Sequence, residues 1–437
     1  MSKTGLFWFQ NDLRLHDHPA LWQMQQCDRL ICVFCFDPNW YRPNSFNAKA
    51  MGKIRDTFLK QAVVDLSAQL KTAGQQLLVI ESRPDEVIAE LIARYQVSIV
   101  GQSKHPGVYE NRYWQRLKQQ FPDTHFYQVD SATLFDESNL PFLLPELPKT
   151  FSQFRKLVEK LPVNRPLATI THLPASPDDF SSIDNFTLDD INSHFPGGEQ
   201  AALAQVKNYF DSAAPASYKE TRNELDGWQN SSKFSPWLAQ GSLSVRTLFA
   251  RLKSYEQEKV ANESTYWLYF ELLWREYFQW YAHQHKNKLF DLHGITGKTG
   301  RACYYPERYQ RWCHGNTPYP LVNALMNELN ETGYMSNRGR QIVASCFIHE
   351  LKLDWRFGAA YFEQQLIDYD VASNWGNWQY IAGVGADPRG GRHFNIQKQT
   401  DQYDPNGHFI SKWRGDNGNT VLDSVDAADW PIMPPGR

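Results

Sequence analysis

Residues 331–380 read ETGYMSNRGRQIVASCFIHELKLDWRFGAAYFEQQLIDYDVASNWGNWQY. Asn337, Arg338 and Arg340 open a helical pattern whose apolar positions Ile342, Val343, Cys346, Phe347 and Ile348 are spaced for a buried face. Asp368 and Asp370 close the next apolar segment, and Asn374, Trp375 and Trp378 follow at once. Polar groups embedded in core-forming sequence need partners. Two readings satisfy them. One is a buried ion pair, Arg340 with Asp368, packed by structural tryptophans that include Trp355. The other is a pocket for a planar, polar-edged ligand. Carboxylates would accept from its ring N–H groups or hydroxyls, and arginines would face its carbonyls or phosphates.

Working outward, the N-terminal third has a different period. Residues 5–9, 29–36, 76–81, 97–101 and 125–129 read as short buried strands, and 48–74 and 83–96 as helices between them. That alternation predicts an α/β, doubly wound parallel sheet over residues 1–135. The first strand runs into FQNDLRLHDH with no GxGxxG, which disfavours a dinucleotide oxidoreductase. Prolines 141, 145, 148, 162, 166, 174 and 177 punctuate residues 136–198, read as an inter-domain connector with a helical pattern surviving at 151–161. From 199 to 437 the patterns are helical.

A chain of 437 residues can bury two cores. Without a long apolar run there is no candidate membrane span, and the opening MSKTGLFWFQND lacks a signal-peptide layout, so a cytoplasmic location is expected. Cys32 and Cys35 form a CxxC inside a strand pattern, where residues three apart face opposite ways; no redox or metal pair is expected. A net charge of −3 and a pI near 6.5 exclude a generally basic nucleic-acid binder. Aromatic residues are 14% of the chain, with 15 tryptophans, enough for stacking and electron hopping beyond core packing.

Two further segments carry candidate chemistry. In YKETRNELDGWQNSSKFSPWLAQG (218–241), Ser235-Pro236 reads as an N-cap followed by proline at the first helical position. Ser231, Ser232 and Lys233 before it could cradle phosphate, although most such caps bind nothing. In STYWLYFELLWREYFQWYA (264–282), Glu271, Trp274, Arg275 and Phe278 share one helix face. Glu271 is a carboxylate among Phe270, Leu272, Leu273 and Trp274, a rare place unless paired.

The stretches TGYMSNRGRQ, DWRFGAAYFEQQLIDYDVASNWGNWQY and YDPNGHFISKW closely resemble the photolyase/cryptochrome family, and the SNRGRQ and DYD–SN–GNW forms resemble its DASH branch. The likeness extends over essentially the whole chain. It implies an antenna α/β domain followed by an all-helical FAD-binding domain. It implies blue-light-dependent repair of cyclobutane pyrimidine dimers, preferably in single-stranded DNA, by electron transfer from reduced FAD. On this resemblance Asp368 and Asp370 hold the isoalloxazine edge and ribityl chain, Arg340 pairs with Asp368, and Asn374 faces flavin N5. Asn337 and Arg338 lie beside flavin and lesion. Tyr218, Ser231, Ser232, Lys233, Phe234 and Ser235 border the flavin phosphates. Glu271 hydrogen-bonds the pyrimidine pair, Trp274 stacks on it, and Arg275 lies on the same lesion-pocket segment. Arg222 and Gln399 contact DNA. Gln341 stands where duplex-repairing relatives carry methionine, and Tyr380 where they carry a second stacking tryptophan. Trp378 and Trp355 match the inner members of an electron-relay triad. The third position falls on Ala302, so the relay ends early or uses Tyr304, Tyr305 or Trp312.

Glu110, in PGVYENRYW (106–114), is the candidate carboxylate for a 5,10-methenyltetrahydrofolate antenna; an exposed glutamate at a helix start is the alternative. The expected partner is single-stranded DNA, or RNA, bearing pyrimidine dimers, bound by a monomer. Competing functions are a blue-light photoreceptor with little repair, repair of (6-4) photoproducts, and a binding protein that keeps only the fold.

Overall fold

A computed structural model of the chain describes residues 3–180, 195–298, 300, 302–387, 389–418 and 420–423. The polar end of the expected connector, 181–194, lies outside the described residues. Five parallel strands, β1 (Thr4–Phe9), β2 (Arg29–Phe36), β3 (Leu77–Glu81), β4 (Ile99–Ser103) and β5 (His125–Val129), form one sheet in the order β3-β2-β1-β4-β5. The central strands β1 and β2 are apolar runs because helices cover both faces of such a sheet. The covering helices include α1 (Lys53–Thr72), α2 (Pro84–Tyr95) and α3 (Val108–Gln120). Cys32 joins the core on one face with Phe7 and Phe34, and Cys35 the core on the other with Trp8 and Val33. The CxxC is therefore two unrelated core thiols.

The connector contributes α4 (Phe151–Val158), capped by the Thr150 hydroxyl. Beyond it the described residues are helical. The elements used below are α5 (Ser235–Gln240), α6 (Glu263–His285), α7 (Pro306–Cys313), α8 (Asn337–His349), α9 (Trp355–Gln365) and α10 (Val371–Ala382). Their starts are written in the sequence as caps. Asn262 and Thr265 form a capping box for α6; Ser336, Asp354 and Asp370 cap α8, α9 and α10 by accepting from Gly339, Arg356 and Ser373. No helix among the described residues is long and apolar enough to cross a membrane.

The sheet and the helical half are tied by buried polar contacts. Asp17 accepts from Arg246 at 3.0 and 3.1 Å, and Arg14 donates to the Gly241 carbonyl. The Glu276 carboxylate on α6 accepts from the backbone N–H groups of Leu134 and Phe135, directly after the sheet ends.

Candidate functional site

A cavity of about 510 Å3 opens in the helical half, within the size range of small-molecule and cofactor pockets. One end is polar. Asp368 is buried at the end of α9's following turn; its Oδ2 accepts from Arg340 at 2.8 Å, while its Oδ1 is buried without a partner. Arg340 also donates to the Met335 carbonyl at 2.9 Å. Asp370 is differently engaged: Oδ1 caps α10, and Oδ2 accepts from Gln279 of α6 at 2.7 Å. Along α10 the wall continues through Ser373, Asn377 and Tyr380, one helix face stepped from the cap. Tyr218, Ser231, Ser232, Lys233, Phe234 and Ser235 line the same cavity, as does Asn337. Lys233 is buried, holds φ at +58° and places its ammonium 4.8 Å from the Tyr334 ring. Burial pushes the neighbouring Glu328 carboxyl up to about 8, against the pull of Lys233.

The other end is aromatic. Glu271, Trp274, Arg275 and Phe278 of α6 all line it, as their spacing predicts. Glu271 pairs with Arg222 at 2.8 Å. Burial pushes the Glu271 carboxyl up, and Arg222 opposes that. Trp274 is held by its neighbours. Phe151, from the connector helix α4, stacks on it at 3.8 Å and 13°; Phe278 lies at 5.6 Å and 28°, and Tyr380 meets it edge-on at 5.8 Å. The Tyr380 hydroxyl accepts from Arg392 at 2.5 Å. Gln341 is on this wall. Arg275 donates to the carbonyls of Ala132 and Leu238, so its role in the structure is to tether α6.

Several predicted residues stand behind the wall. Asn374 donates through Nδ2 to the Ala359 carbonyl at 3.0 Å, which leaves its amide oxygen as the available acceptor. Arg338 donates to Asn223 and lies over Phe394 and Tyr403. Gln399 sits on a separate helix with its Oε1 buried and unpartnered. Ser235 is the first residue of α5 and not its cap: Phe234 occupies the cap position, and no side chain caps that end. Glu110 lies in the first turn of α3, 3.6 Å from His105 Nδ1. Across from the sheet, Arg55 stands 4.4 Å over Tyr369, and burial pushes Glu363 up to about 7, with Arg55 opposing. Sequence reasoning missed Tyr334, Asn377, Arg392 and Phe394 as wall residues, and Phe151 as the ring behind Trp274. Asn377 was reachable by stepping one helical face from Asp370. Tyr334 lies within the TGYMSNRGRQ stretch without a role of its own there, and Phe151, Arg392 and Phe394 come from segments with no motif pointing at the cavity.

Trp378 packs flat against α9, where a Cβ on Gly358 would lie 2.3 Å from its ring; glycine is needed for that approach. Asn374 and Trp378 thus share the face of α10 that meets α9. The rings around Trp378 are Trp312 at 6.3 Å, Phe347 at 5.7 Å and Phe362 at 5.2 Å. Trp355 contacts Trp375 at 5.9 Å and donates its indole N–H to Leu292.

The polar end fits a flavin dinucleotide on its own chemistry: an orphaned buried carboxylate oxygen for a ring N–H, a guanidinium beside it, and hydroxyls with an ammonium at one border. Comparison with known proteins agrees. Residues 267–419 match the model of the FAD binding domain of DNA photolyase, and residues 5–177 that of DNA photolyase. A cryptochrome DASH of Idiomarina loihiensis is 53% identical over 434 residues, covering 98% of this chain and 97% of its own. The crystal structure of a Synechocystis cryptochrome superposes with a TM-score of 0.90 at 39% identity, over 94% of this chain and 88% of that one. An archaeal photolyase from Sulfolobus tokodaii, solved with two FAD molecules, gives 0.75 at 26% identity, over 94% of this chain and 90% of that one.

Proposed function

The chain belongs to the photolyase/cryptochrome family, among its DASH cryptochromes, and from that premise we propose that it is a light-driven lyase that splits cyclobutane pyrimidine dimers, preferably in single-stranded DNA. Residues 1–135 form the antenna part, 136–198 the connector and 199–437 the FAD-binding catalytic part of a cytoplasmic monomer. Reduced FAD, when bound, supplies the excited electron that opens the cyclobutane ring and takes it back afterwards. Asp368, Arg340 and Asp370 hold its ring and ribityl edge. Tyr218, Lys233, Phe234 and the hydroxyls of Ser231, Ser232 and Ser235 border its phosphates, with Asn337 and Arg338 beside it. Asn374 contributes an acceptor, fixed by its bond to Ala359.

The observation that carries the lesion assignment is the pairing of Glu271 with Arg222 next to Trp274. A carboxyl pushed up by burial holds its proton more readily than an ordinary glutamate, and can donate it in a hydrogen bond to a pyrimidine carbonyl. Trp274, backed by Phe151, offers a stacking surface for an extruded base, worth about 1–3 kcal/mol per base. A lesion in a single strand has no pairing partner to lose and costs less to extrude, which favours that substrate on a wall with Tyr380 and Gln341. Trp378 and Trp355 feed electrons to the flavin, and Glu110 with the Arg55 cluster holds a folate antenna.

Repair should be measured on one dimer-containing oligonucleotide, single-stranded and annealed, in light and dark. Light-dependent monomer formation, faster on the single strand, is expected. Glu271→Ala should cost about tenfold or more, the loss of a hydrogen bond to a chargeable group. No light-dependent product from protein carrying reduced flavin would overturn the reading.

A further inference from the structure

Resting on the reading that Trp378 is the first electron donor to bound oxidised FAD, we propose that Trp312 is a second donor that refills Trp378, and that Tyr361, Tyr309 and Tyr304 connect it to the surface. Trp312, at the end of α7, lies in ring contact with Trp378 at 6.3 Å. It is fully buried and donates its indole N–H to the Val343 carbonyl. A carbonyl stabilises a positive indole but cannot take its proton, and a buried unpaired cation is costly. A hole on Trp312 therefore moves on. Tyr361 is 5.6 Å away, Tyr309 is 6.5 Å from Tyr361, and Tyr304 is 5.5 Å from Tyr309.

The phenols differ in what surrounds them. Tyr361 donates to Asn330 Oδ1 and the Cys313 carbonyl, neither of them a base, so it bridges without trapping the hole. Tyr309 is buried, and burial raises its phenol far above the ordinary range. Tyr304 is the first ring of the ladder that reaches solvent, and burial raises it less. It sits two residues from Ala302, where the resemblance places a tryptophan this chain lacks. Trp355, in contrast, makes its ring contact with Trp375.

The balance is as follows. Trp378 gives up one electron and takes one from Trp312. Trp312 takes one from Tyr304, which loses its phenolic proton to water and is left as a neutral radical. An external thiol returns one electron and one proton, and two such thiols end as one disulfide.

The test uses the FAD-loaded, oxidised full chain under blue light with excess thiol. The variants are Trp312→Phe, Trp355→Phe, both together, Tyr304→Phe and Trp378→Phe. Flavin content and melting temperature are checked first. The rate of flavin reduction and the paramagnetic signal of samples frozen under illumination are then recorded. Trp312→Phe should slow photoreduction severalfold and remove the tyrosyl signal; Trp355→Phe should keep that signal; the double variant should be slower than either. Tyr304→Phe, which removes only a hydroxyl, should abolish the tyrosyl signal even if Trp312→Phe folds poorly. A native rate and a native signal in Trp312→Phe, or an unchanged signal in Tyr304→Phe, would overturn the proposal. Undiminished photoreduction in Trp378→Phe would instead remove the premise.

Discussion

Asp368→Asn separates a structural ion pair from a cofactor-holding one. In the native chain Oδ2 accepts from Arg340 at 2.8 Å and Oδ1 has no partner. Asparagine has one oxygen. The Arg340 N–H will take it, and the amide Nδ2 then occupies the place of the orphaned oxygen, turning an acceptor into a donor. Without ligand the bond to Arg340 stays, although its guanidinium loses its counter-charge and some stability with it. With ligand, a ring N–H that would have satisfied Oδ1 meets another N–H. Satisfying a buried acceptor is worth about 1–3 kcal/mol, so FAD affinity should fall about tenfold to a hundredfold. Arg340→Met acts in the opposite sense. It leaves a buried carboxylate with two unpaired oxygens and should cost about 3 kcal/mol of apoprotein stability. Titration of apoprotein with FAD, alongside urea unfolding of each variant, gives both numbers. Native FAD affinity in Asp368→Asn would refute the argument, since Asp368 would then serve Arg340 alone.

Glu276 predicts a pH dependence. Burial pushes its carboxyl up to about 7, above an unfolded value of about 4.3, so the folded state binds the extra proton and stability falls as pH rises between the two, by about 4 kcal/mol at most; urea unfolding across that window should show a slope that Glu276→Gln flattens. Phe151→Leu keeps an apolar side chain but removes the ring behind Trp274, and should weaken binding of a single-stranded dimer up to about tenfold while leaving flavin content native. Tyr380→Trp with Gln341→Met enlarges the apolar stacking wall and should narrow the gap between single-strand and duplex repair rates; an unchanged ratio would move its cause to Arg222 and Gln399.

The sheet was legible because its strands are apolar on both faces, and all five were found within two residues of their limits. The largest error, β4 at Ile99–Ser103 instead of 97–101, has a physical cause. Gln102 and Ser103 look like loop residues, yet they pair with Gln128 and Val129 because their side chains are satisfied from the loop after β1, by Gln10 and Asp12. The helix read from 48 starts at Lys53, because Met51 and Gly52 give their N–H groups to Trp40 and Gln364. Within the site, Arg340 with Asp368, and the face Glu271–Phe278, followed from spacing alone. Phe151 and Arg392 did not, because the first packs behind Trp274 and the second lines the cavity from segments whose own patterns carry no sign of it. The same limit left Trp312 as one of several alternatives for the relay, because a ring contact between α7 and α10 has no local period.

The two faces of α6 explain why the cavity wall around Trp274 cannot be assigned to the helical half alone. Glu271, Trp274 and Phe278 point into the cavity. Two positions after Trp274, Glu276 holds the N–H groups of Leu134 and Phe135 and accepts from the Trp280 indole. Arg275 grips the Ala132 carbonyl from the same turn. The backbone just past β5 is thereby fastened to the turn of α6 that carries Trp274, and the connector lays Phe151 on the same ring. Removing residues 1–135 would strand a buried carboxyl and a guanidinium on that turn, each costing more than a surface contact returns. The sheet half is then a structural support of the cavity wall around Trp274.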